Sequence, residues 1–139
     1  MFSKILLAHD GGMLAERALI YLEHIARIEE AEVIVLHAYQ LPERYAATEG
    51  YEGLRAQHEA VTREVVQDAV DYLQEHGVHA RGSAVQGDTA RTILETANQE
   101  QVSLIVIGSR GPSSMTELLL GSVSLEVLRY ARCPVLVVP

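Results

Sequence analysis

Residues 104–138 read LIVIGSRGPSSMTELLLGSVSLEVLRYARCPVLVV, and this stretch decides the fold class. It opens on a short aliphatic run, Leu104–Ile107, of the kind expected for a strand covered on both faces. It closes on a second apolar run, Pro134–Val138. Between the two lie a connection rich in glycine and hydroxyl groups and a helix beginning near Ser122. Strand, crossover helix and strand in that order form a parallel unit, and such crossovers are right-handed.

The same alternation runs back to the N-terminus. Lys4–Ala8 is another aliphatic run, and Ala15, Ala18, Leu19, Leu22, Ile25 and Ala26 then recur at threes and fours on one helix face. Val33–Ala38 reads as a second strand, and Gln40–Gly53, with Pro42, Tyr45 and Tyr51, as a loop. Val61, Val65, Ala69 and Leu73 recur at fours along a long helix that Gly77 can end. Val78–Val85 is a weaker third strand, and Asp88 is placed to cap the helix carrying Ile93, Leu94 and Ala97. The order β-α-β-α-β-α-β-α-β predicts an α/β fold over residues 1–139: one doubly wound domain, a five-stranded parallel sheet in the order 3-2-1-4-5, helices on both faces. In such sheets a ligand sits beyond the carboxyl ends of the strands where the order reverses, here between the first and fourth. Ala8–Gly12 and Gly108–Gly111 leave those two strands.

A chain of 139 residues buries roughly two-thirds of its unfolded surface. With no Trp and one Phe, the core is expected to be aliphatic. No apolar run approaches the roughly 20 residues of a membrane span, and the opening MFSKILLAHD is too short for a secretory signal. One cysteine, Cys133, excludes an internal disulfide and is expected to be packing. A cytoplasmic protein is the expectation. Nineteen Asp and Glu stand against 11 Lys and Arg, giving a net charge of −8 and arguing against nucleic-acid binding. Any anionic ligand must be held by local backbone and helix-end fields, since Lys4 is the single lysine and lies at the far end of its strand.

Neither the P-loop pattern nor the dinucleotide fingerprint occurs. Gly108, Gly111 and Gly121 are present instead, the last followed by Ser122. Glycine lets backbone approach a phosphate closely. With Ser122 as cap, the amides of Ser122, Val123 and Ser124 form an anion seat, to which Ser hydroxyls and the Arg110 charge can add. The alternative is a turn-rich connection followed by a serine-capped helix. Asp10, on the opposite wall, can accept from a sugar hydroxyl or a base, or cap the first helix through Gly11 and Gly12. His76 and His79 are separated by Gly77 and need not share a face, so no protein-built metal site is expected. Absence of a G-x-S-x-G elbow, or of any convincing general base, predicts slow hydrolysis at most. The apolar last strand, Pro134–Val138, invites pairing with a second copy about a two-fold axis, unless the chain's own helices cover it.

The spacing Gly108-x2-Gly111-x9-Gly121-Ser122 matches the ATP-binding signature of the universal stress proteins, which this chain resembles. The segments LIVIGSRG, LLLGSVSLEVLRYARCPVLVV and KILLAHDGG carry the resemblance, which spans the whole sequence. It implies an adenine-nucleotide alpha-hydrolase-like fold and a homodimeric stress-response regulator that binds ATP, with Mg or Mn held through the phosphates. It implies also an unidentified protein partner. By position, Asp10 would meet the ribose and adenine, with backbone at Ala8 and Ala38 along the base. Gly108, Ser109, Arg110 and Gly111 would wrap the sugar and phosphates, and Gly121, Ser122, Val123 and Ser124 would hold the phosphate chain. Three positions depart from the family pattern: Gly12 replaces a common Ser, Ser103 a common Asp, and His9 occupies a variable site where strand packing is expected, the alternative being a side chain that faces the pocket. A slow or self-phosphorylating ATPase, and a structural dimer with a vestigial site, are the competing expectations.

Overall fold

A computed structural model describes residues 1–41, 46–109 and 120–139. Along them strands and helices alternate: β1 (Lys4–Ala8), α1 (Met13–Glu29), β2 (Glu32–Tyr39), α2 (Tyr51–Glu75), β3 (His79–Gln86), α3 (Thr89–Gln99), β4 (Leu104–Gly108), α4 (Ser122–Tyr130) and β5 (Val135–Val138). The sheet has five strands in the order β3-β2-β1-β4-β5, and every neighbouring pair is parallel. The predicted order and fold class are those observed.

β1 runs through the centre, with Leu7 beside Val35 on one flank and Val106 on the other. Because side chains alternate along a strand, its residues feed two separate cores. Ile5 and Leu7 pack with Leu19, Leu22, Val66 and Leu73 on the α1–α2 side. Leu6 packs with Ile34, Ile93, Ile105 and Val127 on the α3–α4 side. Each fully buried aliphatic side chain contributes roughly 1.5–3 kcal/mol, so stability concentrates around β1 and β4 rather than at β3. Glu23 also lies on the buried face of α1, where it pairs with Arg27 at 3.2 Å.

Two expectations need correction. α2 begins at Tyr51, inside the stretch assigned to a loop, after Gly50 with φ of 86°. Its buried face is Thr62, Val66, Ala69, Val70 and Leu73, whereas Val61 is exposed and Val65 half-buried. A spacing of four overshoots a helical turn by about 40°, so a run of fours drifts away from the core. Where α2 lies on β3, a Cβ at Gly82 would overlap Val66 Cγ1, and the glycine allows the close approach. Gly77, at φ of 79°, follows the end of α2 as expected. Asp88 accepts a hydrogen bond from the Arg91 amide at 3.0 Å and caps α3, also as expected. Among the described residues no helix is long and apolar enough to cross a membrane.

Candidate functional site

β1 and β4 are neighbours, and their carboxyl ends open into a cavity of about 350 Å³. That volume lies within the range of small-molecule pockets. Its apolar wall is Ala8, Leu36, Ala38, Ile93 and Ile107, with Met13 and Leu14 from α1. Its polar wall is His9, Asp10, Ser109, Gly121 and Ser124, with Thr89 from the start of α3.

The β1–α1 turn is held by its own side chains. His9 continues the strand, donating its amide to Leu36 O at 2.8 Å. The Gly11 amide donates to His9 Nδ1 at 3.0 Å, and the Gly12 amide to Asp10 Oδ1 at 2.8 Å. Gly11 takes φ of 82°, which a side chain would strain. Gly12 then stands at the N-cap of α1 without a side-chain cap. Asp10 therefore does not cap α1 directly; it braces the turn and stays exposed at the cavity mouth.

On the facing wall, a Cβ at Gly108 would come within 2.9 Å of the Leu14 carbonyl carbon. The glycine is needed there for α1 to close on β4, so its role is packing between walls as well as access. Ser109 donates its amide to Val138 O at 2.8 Å, while its hydroxyl is buried with no hydrogen-bond partner among the described residues. Gly121, not Ser122, is the N-cap of α4, and its carbonyl accepts from the Leu125 amide at 3.0 Å. The amides of Ser122, Val123 and Ser124 are thus the first-turn donors that a helix leaves unpaired. Gly121, Val123 and Ser124 line the cavity, but the Ser122 side chain is exposed and does not. Ser124 Oγ donates to Gly108 O at 3.2 Å, which ties the first turn of α4 to the end of β4 and occupies its proton.

Ala8, Asp10, Ala38, Gly108, Ser109, Gly121, Val123 and Ser124 therefore converge on one cavity. Arg110 and Gly111 lie outside the described residues, as do residues 112–119. Sequence reasoning missed Leu36, Ile107 and His37. Leu36 shares Ala38's face by strand alternation, and Ile107 pairs with Ala8 in the register. His37 has its Nδ1 buried without a partner. Thr89 and Ile93 follow from topology alone, because α3 starts at the same end of the sheet.

The electrostatics favour an anion despite the acidic chain. The positive field comes from the N-termini of α1 and α4, since the described lining contains no Lys or Arg and one carboxylate, Asp10, which lies at the mouth. Burial pushes both His9 and His37 below the ordinary imidazole range, outweighing the nearby Asp10 carboxylate at each and Glu16 at His9. Both rings are neutral near pH 7. Away from the cavity, burial raises the Cys133 thiol, consistent with its packing role.

The universal stress protein family profile matches residues 1–139. Universal stress protein YxiE of Bacillus subtilis is 34% identical over 149 residues, which cover 99% of each chain. The solved structure of MJ0577, from Methanocaldococcus jannaschii, superposes with a TM-score of 0.86 at 31% identity, covering 99% of this chain and 96% of that one. An Arabidopsis thaliana protein of the family, solved with AMP bound, shares the fold at a TM-score of 0.74 and 24% identity, over 98% and 90% of the two chains. Sequence profile, pairwise identity and strand order agree, and the chain belongs to the universal stress protein family.

Proposed function

We propose that this protein binds an adenine nucleotide, ATP foremost, in the switch-point cavity and acts as a homodimeric sensor or regulator in a stress response. The observation that carries this proposal is a seat for an anion made without a lysine. Gly121, Val123 and Ser124 at the start of α4 line the cavity beside the buried Ser109 hydroxyl, which has no hydrogen-bond partner among the described residues, with the Asp10 carboxylate at the mouth. A buried hydroxyl without a partner costs free energy, and a ligand oxygen arriving at that spot removes the cost. The apolar wall of Ala8, Ala38, Leu36 and Ile107 suits the flat face of a base.

In this proposal Asp10 takes the ribose and adenine side, with backbone at Ala8 and Ala38 along the base. Gly108 and Ser109, with Arg110 and Gly111, take the sugar and first phosphates. Gly121, Val123 and Ser124 hold the remaining phosphates, and Ser122 enters through its amide alone. A divalent ion travelling with ATP would be held by phosphate and water oxygens. Hydrolysis is slow or absent. His9, one of the two histidines in the cavity lining, already accepts from the Gly11 amide and is not free to take a proton from water.

The test is direct. Purified protein is denatured, the released small molecules are identified, and ATP and AMP are then titrated into nucleotide-free protein. Adenine nucleotide in the extract, or binding at or below about millimolar ATP, supports the proposal; neither would sink it. A vestigial site would leave the melting temperature unmoved by ATP. A real site at a hundredfold excess over Kd adds about 2.7 kcal/mol to stability.

A further inference from the structure

We propose that His9 is the positioning residue of this cavity: its neutral imidazole pins the β1–α1 turn through the Gly11 amide, thereby aiming Asp10 and the first turn of α1, and protonation releases the pin. The proposal deepens the nucleotide-binding one and rests on it.

The geometry is specific. The His9 side chain is fully buried, and Nδ1 accepts from the Gly11 amide at 3.0 Å, so Nδ1 carries no proton. The neutral ring must then carry its hydrogen on Nε2. Nε2 lies 3.3 Å from Glu16 Oε1 on α1, close enough for attraction, and makes no hydrogen bond among the described residues. An aliphatic residue at this position would fill the same space but would remove the acceptor that the Gly11 amide has in this partly buried bond. Packing alone therefore does not account for a histidine. Gly11 in turn precedes Gly12, whose amide fixes Asp10 Oδ1 at 2.8 Å and whose carbonyl accepts from Glu16 at 3.1 Å to start α1. One acceptor nitrogen thus sets both the carboxylate at the cavity mouth and the helix end beside it.

The groups facing His9 are Glu16 on α1, Asp10 in its own turn and His37 on β2. Val65 on α2 packs against Gly11 and brings no charge. The two carboxylates favour the imidazolium, while burial disfavours it and prevails. A proton added to Nδ1 would face the Gly11 N–H, donor against donor. The sign follows: the turn is held at neutral pH and above, and it loosens as pH falls through the lowered pKa of His9.

ATP binding is measured by calorimetry for the native chain, His9→Asn and His9→Leu. Asparagine places its side-chain oxygen near the Nδ1 position and cannot be protonated there. The expected result at about pH 8 is a roughly tenfold loss of affinity in His9→Leu, with most of it recovered in His9→Asn. As pH falls from about 8 to about 5, the ratio of native to His9→Asn affinity should drop, because titration of the phosphate and of His37 cancels in that ratio. Native-like affinity in His9→Leu together with a pH-independent ratio would overturn the proposal. A second measurement does not depend on nucleotide: imidazole nitrogen NMR of the ligand-free native chain. An Nε2–H tautomer, with a Gly11 amide shift that follows the titration of His9, supports the pin. An Nδ1–H tautomer overturns it. A native protein that binds no adenine nucleotide but passes the NMR test refutes the ligand assignment and leaves the pin standing.

Discussion

Ser109 and Gly108 are adjacent residues with opposite demands, and substituting each separates fold from ligand. The Ser109 hydroxyl has lost its contact with water and gained no partner among the described residues. Ser109→Ala removes that desolvated group, so the unfolding free energy in urea should stay within about 0.5 kcal/mol of the native value or rise slightly, while ATP affinity falls about five- to tenfold. A large loss of stability in Ser109→Ala would mean the hydroxyl serves the fold. Gly108→Ala should do the reverse. Its new Cβ meets the Leu14 backbone carbonyl at 2.9–3.0 Å, which cannot swing aside like a side-chain end. The expected loss is about 1–3 kcal/mol by urea unfolding, with or without nucleotide present. The signature's first glycine was visible in the sequence, but its contact with α1 was not. A glycine's packing partner depends on which helix crosses it, and that is a property of the assembled fold. His37 was missed for a related reason, since a lone histidine inside an aliphatic run carries no local signal of which wall it joins.

At the scale of elements, hydrophobic runs and end signals made most boundaries legible. β1 came out residue for residue; β4 and β5 differ by one residue at one end, and β2 and β3 by one at each end, within the fraying expected of strand limits. Capping chemistry was equally readable, because Asp88 and the chain following it offer one helix start. Asp88→Ala should remove about 1 kcal/mol of stability, read as a lower urea midpoint, and the Arg91 amide that Asp88 accepts from should exchange with solvent faster. Unchanged exchange at Arg91 would show that the cap contributes nothing. The site of α2's buried face was the main error. Residues at fours looked regular in sequence, yet Val61 stands exposed while Thr62 is buried. Only a mixture of threes and fours follows a straight helix over many turns, and Thr62, Val66, Ala69, Val70 and Leu73 have that mixture. The polar Thr62 hid the true stripe.

For the molecule as a whole, the crevice was legible because topology fixes it: once the order 3-2-1-4-5 is known, the ends of β1 and β4 must meet. Assembly is a different matter, since nothing in one chain's topology names what lies beyond its edge. β5 is bonded on one side by β4, with the Ile105 amide donating to Pro134 O at 3.0 Å and the Ser109 amide to Val138 O at 2.8 Å. Alternation along the strand then turns the amides of Val135 and Val137 to the free edge. Leu125, Leu128 and Tyr130 are exposed on α4, which packs beside β5. The proposed dimer pairs two such edges about a two-fold axis, and each copy brings a net charge of −8. Apolar contact and ladder hydrogen bonds must therefore outweigh mutual repulsion, which salt screens over a Debye length of about 8 Å at physiological ionic strength. Sedimentation should accordingly show the dimer dissociating less readily as salt rises. Val137→Pro deletes an outward amide while leaving the bonds to β4 intact, so it should yield a folded monomer with an unchanged circular dichroism spectrum. A native chain that sediments as a monomer at high salt would refute the edge pairing. So would a Val137→Pro variant that remains as dimeric as the native chain, because an interface built elsewhere would not notice the lost amide.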